Sequence, residues 1–275
     1  MYFEGANITT KVYVNGKDAG GHIGGYLGFN IDITEYITSG KNEVLVRVDN
    51  SYNPEIIPSQ KSDFFIFGGI TRDVWLLKTP KNHIENLKMI TPVVSKEQAS
   101  LKIKALVINS EDISGLNLQA ELFDPSGEKV ATKSISVLNS ETEIDFDTIK
   151  NPELWDTENP NLYEVKVSLI QNDKTLDAVS DKIGFRWFEF KHYGPFYLNG
   201  KRLLLRGTHR HEEHAGVGAA MSNKQHREDM ESIKEMGANF VRLAHYPQDP
   251  EIYKACDELG LLVWDELPWC RGGVG

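Results

Sequence analysis

The sequence predicts a multidomain chain: two successive all-β segments, then the opening of a parallel α/β domain. Three observations carry this. Up to about residue 80, and again up to about 185, apolar residues alternate with polar ones in short runs separated by Gly, Pro, Asn and Asp turns. After about residue 186 the texture changes to continuous apolar runs and helical periodicity. The element order there reads β-α-β-α-β, which requires a parallel sheet with right-handed crossovers. The domains read as 1–80, 81–185 and 186–275.

In the first segment Val12 and Val14 alternate with polar neighbours, and Asn15-Gly16 is a hairpin turn signal. HIGGYLGFNIDIT alternates again. EVLVRVD (43–49) puts Val44, Val46 and Val48 on one face, and TRDVWLLK (71–78) closes the segment. Four or five strands with glycine-rich turns suggest part of a sandwich. The aromatic cluster Phe64, Phe65 and Phe67 reads as packing in the core or between domains, with stacking on a sugar as the alternative.

The second segment alternates cleanly. In LKIKALVI (101–108), Leu101, Ile103, Ala105 and Val107 face inward while Lys102 and Lys104 face out. LNLQAELF and LYEVKVSLI repeat the pattern, and turn signals such as Asp124-Pro125-Ser126-Gly127 recur between runs. About seven short strands in a hundred residues is the mark of an immunoglobulin-like sandwich.

In the third segment Leu203-Leu204-Leu205 reads as a strand buried on both faces. Ser222 and Gln225 form a capping box opening a helix, with Met230, Ile233 and Met236 on one face and Gly237 at its end. Phe240-Val241 is the next strand. Asp249-Pro250 starts a second helix with Ile252, Cys256 and Leu259 on one stripe. Gly260 ends it, and LLVW (261–264) is a third strand.

Composition bounds the function. The chain has 275 residues, 40% hydrophobic and 25% charged, as in a globular protein. A formal net charge of −10 argues against a nucleic-acid partner, because phosphate contacts need clustered Lys and Arg. No apolar run approaches the roughly 20 residues of a membrane span. Cys256 and Cys270 form no zinc or disulfide pattern and read as reduced thiols. MYFEGANITTKVYVNG lacks the layout of a signal peptide and reads like the middle of a folded domain. LPWCRGGVG ends as abruptly, so both ends read as cuts. The compartment stays open, with the cytoplasm slightly favoured.

Chemistry collects where the three parallel strands end. The first leads into Arg206, His209, Arg210, His211 and Glu212. The second ends in Arg242 and continues to His245-Tyr246-Pro247. The third ends in Asp265-Glu266, followed by Trp269. Active sites of parallel α/β sheets and barrels form at such C-terminal strand ends. HRHEEH (209–214) raises the question of a metal. His211-Glu212-Glu213-His214 has the wrong spacing for HExxH. His209-x-His211 matches metal-dependent hydrolases better, but Arg206, Arg210 and Arg242 supply cations that oppose a divalent ion and favour carboxylates. Structural hydrogen bonding is a further reading of these histidines. Glycoside hydrolysis, with two carboxylates held among Arg and His, is the third. Glu266 could equally be a salt-bridge partner of one of the arginines.

GYLGFNIDIT, GGITRDVWL, LWDTENPNLYEVKV, GFRWFEF, FYLNGKRLLLRGTHRHEEH, ANFVRLAHYP and LLVWDELPW together resemble glycoside hydrolase family 2, over essentially the whole chain and in order. The family includes β-galactosidases, β-glucuronidases and β-mannosidases. The resemblance implies a partial β jelly roll, an immunoglobulin-like β-sandwich and the first βα units of a TIM (β/α)8 barrel. It implies a retaining exo-β-glycosidase acting on a β-linked oligosaccharide or glycoside, with terminal β-galactosides expected and oligomerisation possible. Both catalytic glutamates, acid/base and nucleophile, are expected beyond Gly275, so no catalytic residue is assigned and this chain alone is expected to be inactive. By resemblance His211, His245, Glu266 and Trp269 line the sugar site, with Arg206, Arg242 and Asp265 in support. Arg242 matches a residue that contacts the nucleophile carboxylate. His209 stands where many members have asparagine. Glu266 matches a pocket-floor glutamate that in some members also holds magnesium. That ion needs a histidine two positions on, which here is Pro268, so no metal is assigned. A non-catalytic carbohydrate-binding protein, β-glucuronidase or β-mannosidase specificity in place of β-galactosidase, and a metal-dependent hydrolase built on His209 and His211, remain as alternatives.

Overall fold

The computed structural model describes residues 1–58, 62–109 and 114–270. The chain forms two compact units: residues 1–77 together with 206–275, and residues 78–205.

The first unit begins with an antiparallel sheet of β1 (Thr9–Val14), β2 (Lys17–Ile23) and β3 (Val44–Asp49), in the order β2-β1-β3. Asn15 and Gly16 join β1 to β2 with φ of 51° and 76°, both left-handed, as a tight hairpin turn requires. Val12 and Val14 are fully buried, in a core with Phe3, Phe29, Ile31 and Ile33, where the Phe3 and Phe29 rings stack at 4.8 Å. The remaining pairing uses two-residue strands, among them Tyr2–Phe3, Ala6–Asn7 and Gly69–Ile70. The strand expected over TRDVWLLK shrinks to Val74–Trp75, and Leu76 and Leu77 are exposed. Thr71 and Arg72 are buried instead, so this stretch is anchored by polar groups and not by alternating apolar ones.

The same unit holds the parallel sheet. Its strands, labelled after the seven long strands of the second unit, are β11 (Gly207–Arg210), β12 (Phe240–Leu243) and β13 (Leu262–Asp265), which lie in that order, all parallel. Here the first expected strand is displaced. Leu203–Leu205 is not a strand, and Leu204 is exposed. The first parallel strand begins at Gly207, where a side-chain carbon would collide with the Phe240 carbonyl. Close approach of two backbones, not a run of leucines, starts this strand. Helix α1 (Asn223–Glu235) opens on the reciprocal Ser222–Gln225 capping box. His226, Met230 and Ile233 form its buried face, whereas Met236 is the C-cap and is exposed. Helix α2 (Pro250–Leu259) is capped by Asp249, whose carboxylate accepts from the Glu251 N–H at 2.8 Å, and ends at Gly260 with φ of 75°. Ile252, Ala255 and Cys256 face the core formed with Val241 and Leu243.

The second unit is an immunoglobulin-like sandwich. Its strands are β4 (Asn82–Ile90), β5 (Gln98–Asn109), β6 (Leu116–Phe123), β7 (Lys129–Ser136), β8 (Glu141–Lys150), β9 (Tyr163–Gln171) and β10 (Lys174–Ile183). They form sheets ordered β8-β5-β4 and β7-β6-β9-β10. Leu101, Ile103, Ala105 and Val107 face the core against Leu118, Leu122, Val165 and Val167. Lys102 and Lys104 stand on the other face, paired with Glu143. A small antiparallel sheet, Phe188–Phe190, Phe196–Leu198 and Lys201–Arg202, completes the unit.

Candidate active site

The C-terminal ends of β12 and β13 bring three polar groups together. Arg242 is the third residue of β12, His245 lies just past its end, and Glu266 follows β13. Arg242 Nε donates to Glu266 Oε1 at 2.6 Å, and His245 Nδ1 lies 2.8 Å from Glu266 Oε2. Arg242 Nη2 is also 3.2 Å from His245 Nδ1. The shorter contact decides the tautomer: a ring nitrogen this close to a carboxylate oxygen carries the proton, so Nδ1–H donates to Glu266. Burial alone would raise the Glu266 carboxyl, but the hydrogen bonds from Arg242 and His245 outweigh it and hold it below the ordinary range. Glu266 is therefore an ionised acceptor and unsuited to donate a proton at neutral pH.

These residues line an open cavity of about 620 Å³ with Asp63, Trp269 and Cys270. Trp269 is 64% exposed. His211 stands beside the group: its ring is 5.3 Å from that of His245 and 5.2 Å from that of Phe64. Burial first, and then the neighbouring His245, push its pKa down, so it is neutral at pH 7. Phe64 also meets His245 at 5.8 Å and Tyr246 at 5.4 Å, so it packs the histidines together.

Two of the residues expected in support stand outside the cavity wall. Arg206 precedes β11, at the opposite end of the sheet, and its side chain is exposed; its backbone is engaged, the N–H donating to Asn239 Oδ1 and the carbonyl accepting from the Asn239 N–H. The displaced strand start explains this. Asp265 accepts from the Tyr253 hydroxyl at 2.8 Å and from the Glu266 N–H, so it braces the strand end against α2. His209 is exposed on β11, and His214 is exposed beyond it.

Among the described residues, two clusters have the spacing of metal ligands: Asp63, His245 and Cys270, and Glu212, His226 and Asp249. Neither includes His209 or His211, so the HxH reading lacks a ligand set. Both clusters sit beside guanidinium groups, of Arg242 in the first and of Arg72 and Arg210 in the second, which oppose a further cation. Magnesium at Glu266 does not fit either. Both carboxylate oxygens are occupied by Arg242 and His245, and Pro268 offers no ligand.

Three family profiles cover this chain almost end to end. "Glycosyl hydrolases family 2, sugar binding domain" matches residues 1–80, "Glycosyl hydrolases family 2" matches 82–186, and "Glycosyl hydrolases family 2, TIM barrel domain" matches 188–273. The chain belongs to glycoside hydrolase family 2. It is 66% identical over 275 residues to a Formosa agariphila protein named "Putative beta-glucuronidase", matching 100% of this chain and 33% of that protein. It is 38% identical to a beta-galactosidase of Thermoanaerobacter pseudethanolicus, over 98% of this chain and 37% of the relative. The crystal structure of Parabacteroides merdae beta-glucuronidase superposes with a TM-score of 0.93 at 40% identity, over 100% of this chain and 36% of that one. The chain thus spans about a third of the length of these family 2 relatives.

Within this family 2 chain, sequence reasoning missed Asp63, Arg72 and Cys270, and named Glu212 at the strand end without its partner Arg72. Asp63 and Phe64 lie in an irregular stretch after β3 with no strand periodicity to single them out. Arg72 was hidden in what read as an ordinary strand. The signal that could have found it is a lone arginine within an apolar-flanked run, which calls for a buried partner.

Proposed function

We propose that this chain supplies the sugar-binding side of the active site of a retaining exo-β-glycosidase, whose acid/base and nucleophile glutamates lie outside residues 1–275. The observation that carries this is Glu266, held ionised by Arg242 and His245 in an open cavity at the strand ends. An ionised carboxylate accepts hydrogen bonds from sugar hydroxyls. Trp269 offers an exposed aromatic face at the same cavity. The two reacting carboxylates of a retaining enzyme stand about 5 Å apart and flank the glycosidic bond. The groups described here bind and orient the sugar ring beside them.

For the sugar, a β-glucuronide is the first choice, because the relative at 66% identity and the solved Parabacteroides structure carry β-glucuronidase names. The β-galactoside expected from the sequence is the second, supported by the Thermoanaerobacter relative. The test is to extend the coding sequence past Gly275, express the product, and measure release of 4-nitrophenol from its β-glucuronide, β-galactoside and β-mannoside. Turnover of one of them by the extended protein, and none by residues 1–275, is expected. Turnover by residues 1–275 alone, or by neither protein, overturns the proposal.

A further inference from the structure

Arg72 has all five of its guanidinium N–H donors engaged. Nε donates to Glu212 Oε1 and Nη2 to Glu212 Oε2, both at 2.8 Å. Nη2 also donates to the Pro247 carbonyl at 2.6 Å. Nη1 donates to the carbonyls of Tyr26 at 3.1 Å and Glu4 at 3.3 Å. Both side chains of the ion pair are 3% exposed. The route to this position is itself shaped: a side-chain carbon on Gly5 would sit 2.9 Å from Arg72 Cδ.

The partners are not scattered. Glu212 is the residue after His211, and Pro247 is two residues after His245. One planar group from the first β-sandwich therefore ties down both chain segments that bring histidines to the sugar cavity. A second tie runs parallel to it. Tyr26 stacks on Tyr246 at 4.0 Å, and the Tyr246 hydroxyl accepts from the Glu212 N–H at 3.2 Å. The same hydroxyl lies 3.5 Å from His211 Nδ1.

We propose that Arg72 is a positioning residue for the sugar pocket, fixing His211 and His245 through Glu212 and the Pro247 carbonyl. The first β-sandwich then acts as the template of the barrel's strand ends. Lysine cannot replace arginine here, because an ammonium has three donors and no fork to match a carboxylate while reaching three carbonyls. This role rests on the glycosidase reading only for its effect on turnover. Its effect on the histidines stands apart.

The test compares Arg72→Lys with Val12→Ala in the full-length protein that carries this chain. Val12 is fully buried in the same sandwich, in the apolar core with Phe3 and Phe29. Three quantities are read: melting temperature, kcat and KM on the glycoside that the parent hydrolyses, and the imidazole NMR signals of His211 and His245. If Arg72 positions the pocket, Arg72→Lys lowers kcat/KM per folded molecule by roughly 10- to 100-fold more than Val12→Ala, at comparable loss of melting temperature, and shifts both imidazole signals. Equal turnover per folded molecule and unmoved imidazoles in Arg72→Lys overturn the proposal. Should Arg72→Lys fail to fold, Glu212→Gln, which keeps the shape and weakens the fork, is read by the same criteria. Should the parent hydrolyse no glycoside, the functional reading fails and the imidazole shifts alone decide.

Discussion

His226 and Glu266 show how the same physics gives opposite protonation behaviour. His226 is fully buried; its Nδ1 accepts from Arg210 Nη2 at 3.0 Å, and its Nε2 faces Asp249 Oδ2 at 3.7 Å. Burial first, then Arg210 and Arg72, push its pKa down from 6.5 to about 3. The unfolded chain therefore binds a proton that the native chain refuses. Stability from this group is fully present above pH 6.5 and is lost as pH falls from there toward about 3. His226→Gln should flatten the acid limb of a urea-denaturation series across that window, by up to about 1.4 kcal/mol per pH unit. Glu266 is the carboxylate case. Its depressed pKa contributes stability above the ordinary value of 4.5, lost as pH falls through the lower folded value. Glu266→Gln should remove that part of the acid dependence and weaken sugar binding, as read by calorimetric titration. At this scale the sequence was readable where a residue ends a strand: Arg242, His245, Glu266 and Trp269 do meet at one cavity. Arg206 lies at the other end of the sheet, because strand start decides a side chain's neighbours and charge alone does not reveal them.

Elements were legible wherever their own chemistry terminates them. Ser222 and Gln225 satisfy each other's backbone N–H groups at the start of α1, and Gly260 takes the left-handed conformation that ends α2. Ser222→Ala should cost about 1 kcal/mol in chemical denaturation, because one orphan N–H donor at the helix start loses its acceptor. The alternating strands of the immunoglobulin-like unit were equally clear, since a two-residue period survives any tertiary context that buries one face. Leu203–Leu205 misled for the converse reason. An uninterrupted apolar run states that something is buried without stating what element it is. Here Leu204 is exposed, and the strand waits for Gly207, whose lack of a side chain admits the Phe240 backbone.

On the scale of the molecule, the core of residues 78–205 is closed within that unit, built from Ile84, Leu101, Leu118, Leu169, Phe185 and their neighbours. Expressed alone, 78–205 should unfold in a single cooperative transition by circular dichroism and fluorescence. Residues 1–77 alone should not, because Arg72 would lose its ion pair with Glu212 and its bond to the Pro247 carbonyl, and the surface that 206–275 covers would be exposed to water. A non-cooperative melt of 78–205, or a sharp one of 1–77, would contradict this. The contrast also marks a limit of sequence reading. Domain-sized motifs revealed the family from end to end, whereas the Arg72–Glu212 pair joins residues 140 positions apart with no local pattern at either end.

The saturated guanidinium makes sandwich and barrel a matched set. Anyone recombining domains between relatives to alter glycoside preference would have to move arginine, glutamate and the two loop backbones as a block. A hybrid that mismatches them carries an uncompensated charge at the joint, however well each half folds in its parent. Interchangeable parts, in this architecture, end at that one side chain.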